Sequence, residues 1–272
     1  MKDPRSLEEL QTHYELEKRL AARLRAASRS ERLSLYRTLY DELYRAVPFL
    51  KTDPKTVDEV RLGAVMRLLG PFLSKDTAIL EIGAGNLALA RALSSHVQTI
   101  IALDVSKEFA MTLGAVPKNV ELVLSDGISV PVAAESVDLV YSDQLMEHLH
   151  PDDAFEQLQN ILRALKPGGR YICNTPHRFN GPHDISQHFD QEATGFHLKE
   201  YTNRELSALF LRAGFRNVYS LTGVRGFVVP VPVWILTPLE FCLSCLPKPM
   251  RRLVSGFLPI KLLLGVRLVG VK

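Results

Sequence analysis

Cysteine is scarce in this chain: among 272 residues there are three, Cys173, Cys242 and Cys245. Three unevenly spaced cysteines cannot form a disulfide framework, so we expect a reducing compartment, the cytoplasm. Cys242 and Cys245 have the C-x-x-C spacing of half a metal site or of a redox pair, but no second pair accompanies them in the sequence. We therefore interpret them as small side chains buried in an apolar segment.

A strong charge of one sign and a long hydrophobic run are also missing. The net charge of +3 is too small to indicate a nucleic-acid partner, and the sequence contains no RNA-binding signature. The first residues are not followed by an apolar stretch, so a secretory signal is not expected. A membrane-spanning helix needs about 20 uninterrupted apolar residues, whereas the only candidate window is interrupted by prolines and Glu240.

That window lies in residues 224–264, which are both apolar and basic. From Thr222 to the end of the sequence, seven Lys and Arg residues stand against one acid, Glu240. A basic, apolar segment can lie on an anionic membrane surface or cover an apolar pocket. We expect a helical insertion here, and three roles stay open for it: a cap over an active site, a dimer surface, or a peripheral membrane contact.

The sequence is organised around a short apolar run that ends in glycines, Thr77–Asn86, with the letters T-A-I-L-E-I-G-A-G-N. A nearly continuous run of this length is typical of a parallel strand buried on both faces. The residues after Gly85 suit a helix, so the pattern predicts the strand, glycine turn and helix that open a nucleotide-binding α/β sheet. Glycines suit such a turn because one adopts a conformation that a Cβ disfavours and another lets a ligand approach the backbone.

Two acids make this prediction more specific. Glu81 lies inside the strand, where a carboxylate is costly unless it faces a cationic or hydrogen-bonding group. The turn also satisfies the dinucleotide pattern G-x-G-x-x-A, but Glu81 would repel a pyrophosphate and attract the ammonium of an amino-acid ligand. Asp104 ends the predicted second strand, about twenty residues beyond the turn, where α/β nucleotide sites place the acid that binds the ribose hydroxyls. Its alternative role is to cap a helix that starts near Ser106.

Together with Asp126, these residues resemble the motifs of the class I S-adenosylmethionine-dependent methyltransferases. The resemblance implies S-adenosyl-L-methionine as the cofactor, with Glu81 near its methionine end, Asp104 on the ribose and Asp126 on the adenine amino group. The cofactor-binding residues that we expect are Glu81, Gly83, Ala84, Gly85, Asn86, Asp104, Val105, Asp126, Gly127 and Ser142.

The resemblance also implies the fold, a Rossmann-like α/β core with a seven-stranded, mostly parallel sheet whose last strand is antiparallel. Residues 1–56 are expected to form an N-terminal helical lid, whose tyrosines either pack on the core or help to enclose the ligands. Residues 57–223 form the core, residues 224–264 are the insertion between strands six and seven, and residues 265–272 complete the sheet. Core helices are predicted over 57–69, 107–113, 153–165 and 203–213.

The segment between the predicted strands four and five decides whether a metal is expected. It contains the letters Q-L-M-E-H and resembles a family segment in which, in some members, an E-x-x-E-H set binds a divalent cation. Here Gln144 stands at the first acidic position, and an uncharged amide is a weaker ligand for a hard cation. We therefore expect no metal.

Candidates for a catalytic base lie mainly in the long polar stretch 175–201, which contains four histidines. Long loops at the carboxyl ends of strands are where α/β enzymes keep their substrate chemistry. The histidine spacings match no standard zinc cluster, and each histidine could instead be a structural hydrogen-bonding group. The candidates are His148, His177, His183 and Asp184. We favour His183, because the neighbouring carboxylate would raise its basicity.

These features predict a methyltransferase that acts on a small-molecule acceptor, most simply at a hydroxyl of an apolar, lipid-like or secondary-metabolite substrate. The sulfonium of the cofactor is already activated, so the protein mainly positions the reactants, and a hydroxyl additionally needs a base. C- or N-methylation on the same fold stays open, as does a homodimer. Two different functions compete with methyl transfer. Glu81 argues against an NAD(P)-dependent oxidoreductase, and the retained Gly83, Gly85 and Asp104 argue against a non-enzymatic scaffold.

Overall fold

The computed structural model describes residues 3–50, 58–106, 115–224 and 227–272. Within them the chain forms one mixed sheet. Its strands are β1 (Ala78–Ile82), β2 (Thr99–Asp104), β3 (Val120–Leu124), β4 (Val137–Asp143), β5 (Leu165–Thr175), β6 (Asn217–Val224), β7 (Phe227–Pro232) and β8 (Val266–Val271). Their spatial order is β3-β2-β1-β4-β5-β8-β6-β7.

The sheet has the predicted Rossmann-like arrangement with one additional strand. β3, β2, β1, β4 and β5 run parallel to one another. β8 is antiparallel to both β5 and β6, so the final strand predicted at the end of the chain is confirmed. The strand that was not predicted is β7, which forms an antiparallel hairpin with β6. The insertion is therefore not entirely helical, because its first residues extend the sheet.

The helices of the described residues are α1 (Leu7–Ala26), α2 (Arg29–Ala46), α3 (Glu59–Leu69), α4 (Ala88–Leu93), α5 (Pro151–Ala164), α6 (Asn203–Ala213), α7 (Val233–Ser244), α8 (Lys248–Gly256) and α9 (Leu258–Leu264). Ser6 and Glu9 form a capping box that starts α1, and Thr202 and Glu205 do the same for α6. α6 ends at Gly214, which is left-handed. The helix predicted over 107–113 lies outside the described residues.

The core has two layers, one on each face of the sheet. Leu80 of β1 packs in a cluster with Leu39 of α2, whereas its neighbour Ile79 packs in a second cluster with Leu69 of α3. Successive side chains of a strand point to opposite faces. All five residues of β1 are therefore buried, which explains why its sequence is continuously apolar apart from Glu81.

Helix α2 is fixed to the start of α5 by a buried ion pair. The guanidinium of Arg32 donates two hydrogen bonds of 2.6 Å to the carboxylate of Asp153. The hydroxyl of Tyr36 donates to the same carboxylate at 2.8 Å and accepts from the backbone N–H of His150 at 2.8 Å. Separating either charge from its partner would leave an unpaired charge in the interior, so α2 is held firmly on the core.

The insertion is fastened to the core by Glu240 of α7. Its carboxylate accepts hydrogen bonds from Nε2 of His177 at 3.1 Å and from the backbone N–H groups of Asn203 and Arg204 at 2.8 and 3.1 Å. Burial acts to raise the pKa of Glu240, but the bond and charge of His177, together with the two N–H groups, bring it below its ordinary value.

Across the described ranges, no helix has the length and apolar character needed to cross a membrane.

The interpretation of Cys242 and Cys245 as buried side chains is wrong. Both are exposed, only Cys173 is buried, and all three are free thiols. The two cysteines fall on the outer side of the turn that ends α7. The buried side of this helix is formed by Val233, Leu236, Glu240 and Leu243, which recur at helical spacing.

Candidate active site

The carboxyl ends of β1, β2 and β4 border a cavity of about 500 Å³. This volume lies within the range of small-molecule and cofactor pockets. We call it the cofactor cavity. Eight of the ten predicted cofactor-binding residues line it: Glu81, Gly83, Ala84, Gly85, Asn86, Asp104, Val105 and Gly127.

The turn after β1 depends on two left-handed glycines. The backbone φ angle is +76° at Gly83 and +48° at Gly85, values that a Cβ disfavours. The N–H of Gly85 donates to one oxygen of the Asp104 carboxylate at 2.7 Å, and the N–H of Ser106 donates to the other at 2.9 Å. Because each carboxylate oxygen has a second lone pair, Asp104 can still accept two hydroxyl groups. Burial raises the pKa of Asp104, although these backbone hydrogen bonds oppose the shift.

Glu81 is buried, with 7% of its surface exposed. Its Oε2 atom has no hydrogen-bond partner among the described residues. Burial, followed by the charges of Asp104 and Asp143, raises the pKa of Glu81 to about 8. An unpartnered buried carboxyl oxygen is unfavourable unless a ligand satisfies it. This side of the cavity therefore suits a cationic group, and an ammonium fits the chemistry.

Two predicted residues, Asp126 and Ser142, do not line the cavity. The Asp126 carboxylate accepts hydrogen bonds from the backbone N–H groups of Ile128 and Ser129 and from the Ser129 hydroxyl, at 2.6–2.8 Å. Burial opposes ionisation, but these bonds lower the pKa of Asp126 overall. Ser142 is fully buried, and its hydroxyl is hydrogen-bonded to that of Tyr171 at 2.7 Å. Both side chains are therefore occupied within the protein itself.

Three tyrosines of α2, Tyr36, Tyr40 and Tyr44, line the cofactor cavity. A Cβ on Gly127 would lie 3.2 Å from the ring of Tyr36, so the lid packs closely on the loop after β3. Burial raises the pKa of all three hydroxyls, to about 12 for Tyr44. They are therefore neutral and present an uncharged, largely apolar wall.

An ion pair at the rim of the cavity was not predicted from the sequence. Arg61 of α3 donates to the Asp143 carboxylate at 2.9 Å, and both residues line the cavity. Tyr141, also in the lining, has a buried hydroxyl without a partner in the described part of the chain. Asp143 and Tyr141 lie at the end of a strand, as Asp104 does, so the same pattern could have identified them. Arg61 precedes the first strand and carried no such signal.

His148 is the one predicted catalytic candidate that lines the cofactor cavity. Its Nδ1 lies 3.0 Å from the backbone carbonyl of Phe196. A carbonyl can only accept, so Nδ1 carries the proton and Nε2 retains its lone pair. Burial, and then the charge of His197, lowers the pKa of His148 to about 3. The imidazole is therefore neutral at physiological pH.

His148 belongs to a group that we call the inner cluster, which consists of Glu147, His148 and His197. One nitrogen or oxygen atom from each lies within 4.8 Å of the others, an arrangement that could hold a metal ion. Glu147 is completely buried, and burial raises its pKa to about 7. Burial acts to lower the pKa of His197, but the hydrogen bond to Glu200 and the charge of Glu147 raise it overall. Neither Glu147 nor His197 was predicted from the sequence as a catalytic residue.

The other three candidates lie outside the cofactor cavity and make internal bonds. His177 is bound to Glu240, as described above, and accepts from the N–H of Phe179 at 3.1 Å. Nε2 of His183 lies 2.8 Å from the Asn180 side chain, and burial lowers the pKa of His183. The expected increase in its basicity by Asp184 is absent, because the Asp184 carboxylate binds Ser186 and the N–H of His197.

Comparison with known proteins shows which families and folds this chain resembles. Residues 80–173, from β1 to β5, match the family model of a methyltransferase domain. The chain is 28% identical over 137 residues to a Mycolicibacterium smegmatis protein named "probable S-adenosylmethionine-dependent methyltransferase", covering 50% of this chain and 51% of that one. It is 25% identical over 185 residues to phosphoethanolamine N-methyltransferase 1 of Triticum aestivum, covering 58% of this chain and 37% of that one.

The solved structures support the fold. A SAM-dependent methyltransferase from Archaeoglobus fulgidus aligns with a TM-score of 0.53 at 17% identity, over 86% of this chain and 99% of that one. At this level of identity the likeness concerns the fold alone. The chain spans about half the length of the curated relatives it matches first, between 48% and 51%.

Proposed function

The chain carries a class I S-adenosylmethionine-dependent methyltransferase domain, and from its site we propose that the protein methylates a small-molecule acceptor. One observation carries the proposal: Glu81 with its unpartnered oxygen, Asp104 and His148 line the same cavity. The first two residues suit the charged and hydroxylated ends of the cofactor. The third offers a proton acceptor beside it.

In this proposal, residues at the ends of β1 and β2 hold S-adenosyl-L-methionine. Glu81 pairs with the ammonium, Asp104 accepts hydrogen bonds from the ribose hydroxyls, and the glycine turn allows close backbone approach. When bound, the cofactor supplies a methyl group activated on a sulfonium, so that the acceptor lone pair forms the new bond as the carbon–sulfur bond breaks. The chain contributes alignment of these atoms, which can supply roughly 7–11 kcal/mol.

We propose a hydroxyl on an apolar, lipid-like or secondary-metabolite compound as the acceptor group, with His148 receiving its proton. Nε2 of His148 has a free lone pair because Nδ1 donates to Phe196. The low pKa of His148 keeps the ring neutral and able to accept, but it also makes the ring a weak base. Glu147, with an unpartnered Oε1 and a pKa of about 7, can stabilise or receive the proton within the inner cluster.

The same weakness favours a second candidate, N-methylation. An amine that has lost its proton to solvent attacks without a strong base, so a neutral His148 with a pKa of about 3 would suffice to orient it. One relative named above, the Triticum aestivum enzyme, is an N-methyltransferase by name. The methylated atom of the product distinguishes the two candidates.

The additions to the core have proposed roles in enclosing the reaction. Residues 1–56 act as a lid, since the tyrosines of α2 line the cofactor cavity. The ring centroids of Tyr40 and His148 are 6.0 Å apart. Residues 224–264 act as a cap beside the loop after β5, where Glu240 fixes them. Excluding water strengthens the interactions at the transferring group.

The test is to incubate the purified protein with labelled cofactor and extracts of the source organism, and to identify the labelled product. With the acceptor in hand, His148→Gln and His148→Ala are compared with His183→Gln, a histidine outside the cavity. For a hydroxyl acceptor we expect His148 variants to lose about 10²–10⁴-fold in kcat with S-adenosylhomocysteine binding intact. For an amine we expect a loss below about tenfold.

The His183→Gln control is expected to retain kcat within about tenfold. A large loss of kcat in that variant, with unchanged cofactor affinity and melting temperature, would indicate that His183 is the base. Absence of S-adenosylhomocysteine binding by the wild-type protein would refute the proposed function itself.

A further inference from the structure

A second and larger cavity, of about 1270 Å³, lies between the loop that follows β5 and the helices α8 and α9. We call it the outer cavity. Its volume exceeds that of the cofactor cavity, and typical pockets for drug-sized ligands hold about 300–1,000 Å³. Five cationic side chains line it: Arg178, Lys199, Lys248, Arg251 and Arg252.

The positive charge of the outer cavity is only partly compensated by its own acids. Its lining contains two carboxylates, Glu192 and Glu200. Glu192 pairs with Lys248. Glu200 is buried and accepts hydrogen bonds from Nδ1 of His197 and from the N–H of His183. The Glu200 carboxylate is therefore paired with these two histidines and not with the arginines of the cavity.

Three of the cations form no salt bridge within the described part of the chain: Lys199, Arg251 and Arg252. The guanidinium of Arg251 lies 4.9 Å from the ring centroid of Phe179, and that of Arg178 lies 5.6 Å from the same centroid. Arginines presented in this way leave their N–H groups available for an oxyanion, which they can bind in bidentate fashion.

Most of the remaining lining is apolar and includes Leu198, Val254, Phe257 and Ile260. A cavity with several cations and an apolar wall is complementary to an amphiphile that carries an anionic group. Inorganic anions would use the cations but leave the apolar wall exposed to water, which favours a ligand with both parts.

The outer cavity adjoins the cofactor cavity at the inner cluster. His197 lines the outer cavity and His148 lines the cofactor cavity, and their ring centroids are 4.8 Å apart in an edge-to-face arrangement. The partition is therefore one pair of imidazole rings thick. A ligand in the outer cavity can therefore contact His197, whose ring lies against that of His148, the residue that we propose as proton acceptor.

We propose that the outer cavity binds the methyl acceptor, and that the acceptor is an amphiphile with a phosphate-like anionic group. This inference rests on the proposed function, because it names the substrate class of the same site. The anionic group binds Arg251 and Arg252, and the apolar part lies along α8 and α9. The nucleophilic end passes the His197–His148 pair into the cofactor cavity, where the methyl group lies when the cofactor is bound.

The test measures binding of short probes by isothermal titration calorimetry with the full chain. The probes are octyl phosphate, inorganic phosphate and octyltrimethylammonium, all kept below the concentrations at which the alkyl probes aggregate. We expect octyl phosphate to bind at least about tenfold more tightly than either other probe, since it alone satisfies both the cations and the apolar wall. S-adenosylhomocysteine is titrated into the same samples.

Two variants and one control locate the site. Arg251→Gln combined with Arg252→Gln is expected to weaken octyl phosphate binding at least about tenfold and to leave S-adenosylhomocysteine affinity unchanged. Lys199→Gln provides an independent variant if the double variant folds poorly, as judged by its melting temperature. Arg19→Gln, at an exposed position of α1, removes one positive charge away from the cavity, as Lys199→Gln does within it, and should bind like the wild type.

Several outcomes would overturn the inference while leaving the proposed function intact. Equal binding of octyltrimethylammonium would show that charge does not select the ligand, and equal binding of inorganic phosphate would indicate a free-anion site. Displacement of S-adenosylhomocysteine by octyl phosphate would place the probe in the cofactor cavity. In contrast, failure of S-adenosylhomocysteine to bind at all would refute the proposed function whatever the octyl phosphate result.

Discussion

We predict that cofactor binding is coupled to loss of a proton from Glu81. Without a ligand, burial and the charges of Asp104 and Asp143 raise the pKa of Glu81 to about 8, so its carboxyl is mostly protonated at pH 7. If an ammonium occupies this position, the carboxyl must ionise when the cofactor binds. The pKa change from about 8 towards the ordinary value of 4.5 corresponds to a free energy on the order of 5 kcal/mol, which the ion pair has to supply.

The expected signature is an affinity for S-adenosylhomocysteine that rises with pH. Between pH 6 and about 8 the association constant should increase by up to about tenfold per pH unit, because one proton leaves on binding, and should level off above that. Calorimetry in buffers of different ionisation enthalpy should independently detect release of up to about one proton per binding event at pH 7. Glu81→Gln should abolish both effects and weaken binding, whereas Glu121→Gln, at an exposed position of β3, should change neither.

The same group predicts how the stability of the ligand-free protein depends on pH. The folded pKa of Glu81 lies above its unfolded value, so its contribution to stability is complete below about pH 4.5 and is lost as the pH rises through about 8. The free energy of unfolding should therefore fall across this window in the wild type more than in Glu81→Gln. An affinity that is flat between pH 6 and 8, or a slope that persists in Glu81→Gln, would refute the reasoning.

Three further predictions concern single features of the site and the lid. Asp104→Ala should weaken S-adenosylhomocysteine binding by about 1–3 kcal/mol, since it removes a buried polar partner; unchanged affinity in calorimetry would exclude a ribose contact. Activity should survive dialysis against a chelator, and restoration of lost activity by magnesium would show that the inner cluster holds a metal. Asp153→Ala should lower the free energy of unfolding in urea by roughly 3–5 kcal/mol, because the buried Arg32 loses its partner. Glu42→Ala, which breaks an exposed pair with Arg23, should cost less than about 1 kcal/mol, and equal losses in the two variants would contradict this distinction.

The sequence alone was sufficient wherever a local pattern has one structural solution. The short apolar run that ends at the glycine turn predicts a strand covered on both faces, and β1 (Ala78–Ile82) lies within it. Asp104 ends β2, which runs parallel to β1. The carboxyl ends of neighbouring parallel strands meet at one edge of the sheet, so Asp104 lies close to the glycine turn after β1. The capping box at Thr202 likewise determined the start of α6.

The orientation of polar side chains at the strand ends was not determined locally. Asp126 follows the end of β3 by two residues, whereas Asp104 is the last residue of β2, and the Asp126 carboxylate closes its own turn through Ser129. The competing partners are backbone and hydroxyl groups two or three residues away, and only the geometry of the turn decides between them and a ligand. Ser142 does not line the cavity either. Its hydroxyl is hydrogen-bonded to that of Tyr171 on the adjacent strand, a contact that the local sequence does not show.

Which of the predicted histidines lies at the cofactor cavity depends on the tertiary structure. His183 and His148 have similar chemical neighbours in the sequence, but the fold directs His183 to Asn180 and brings His148 to the cofactor cavity beside His197. Burial then sets the charge of each ring, and burial depends on the lid and the insertion, which come from opposite ends of the chain. The residue types that could carry the chemistry were therefore readable from the sequence, whereas long-range packing determined which of them faces the cavity and in which protonation state.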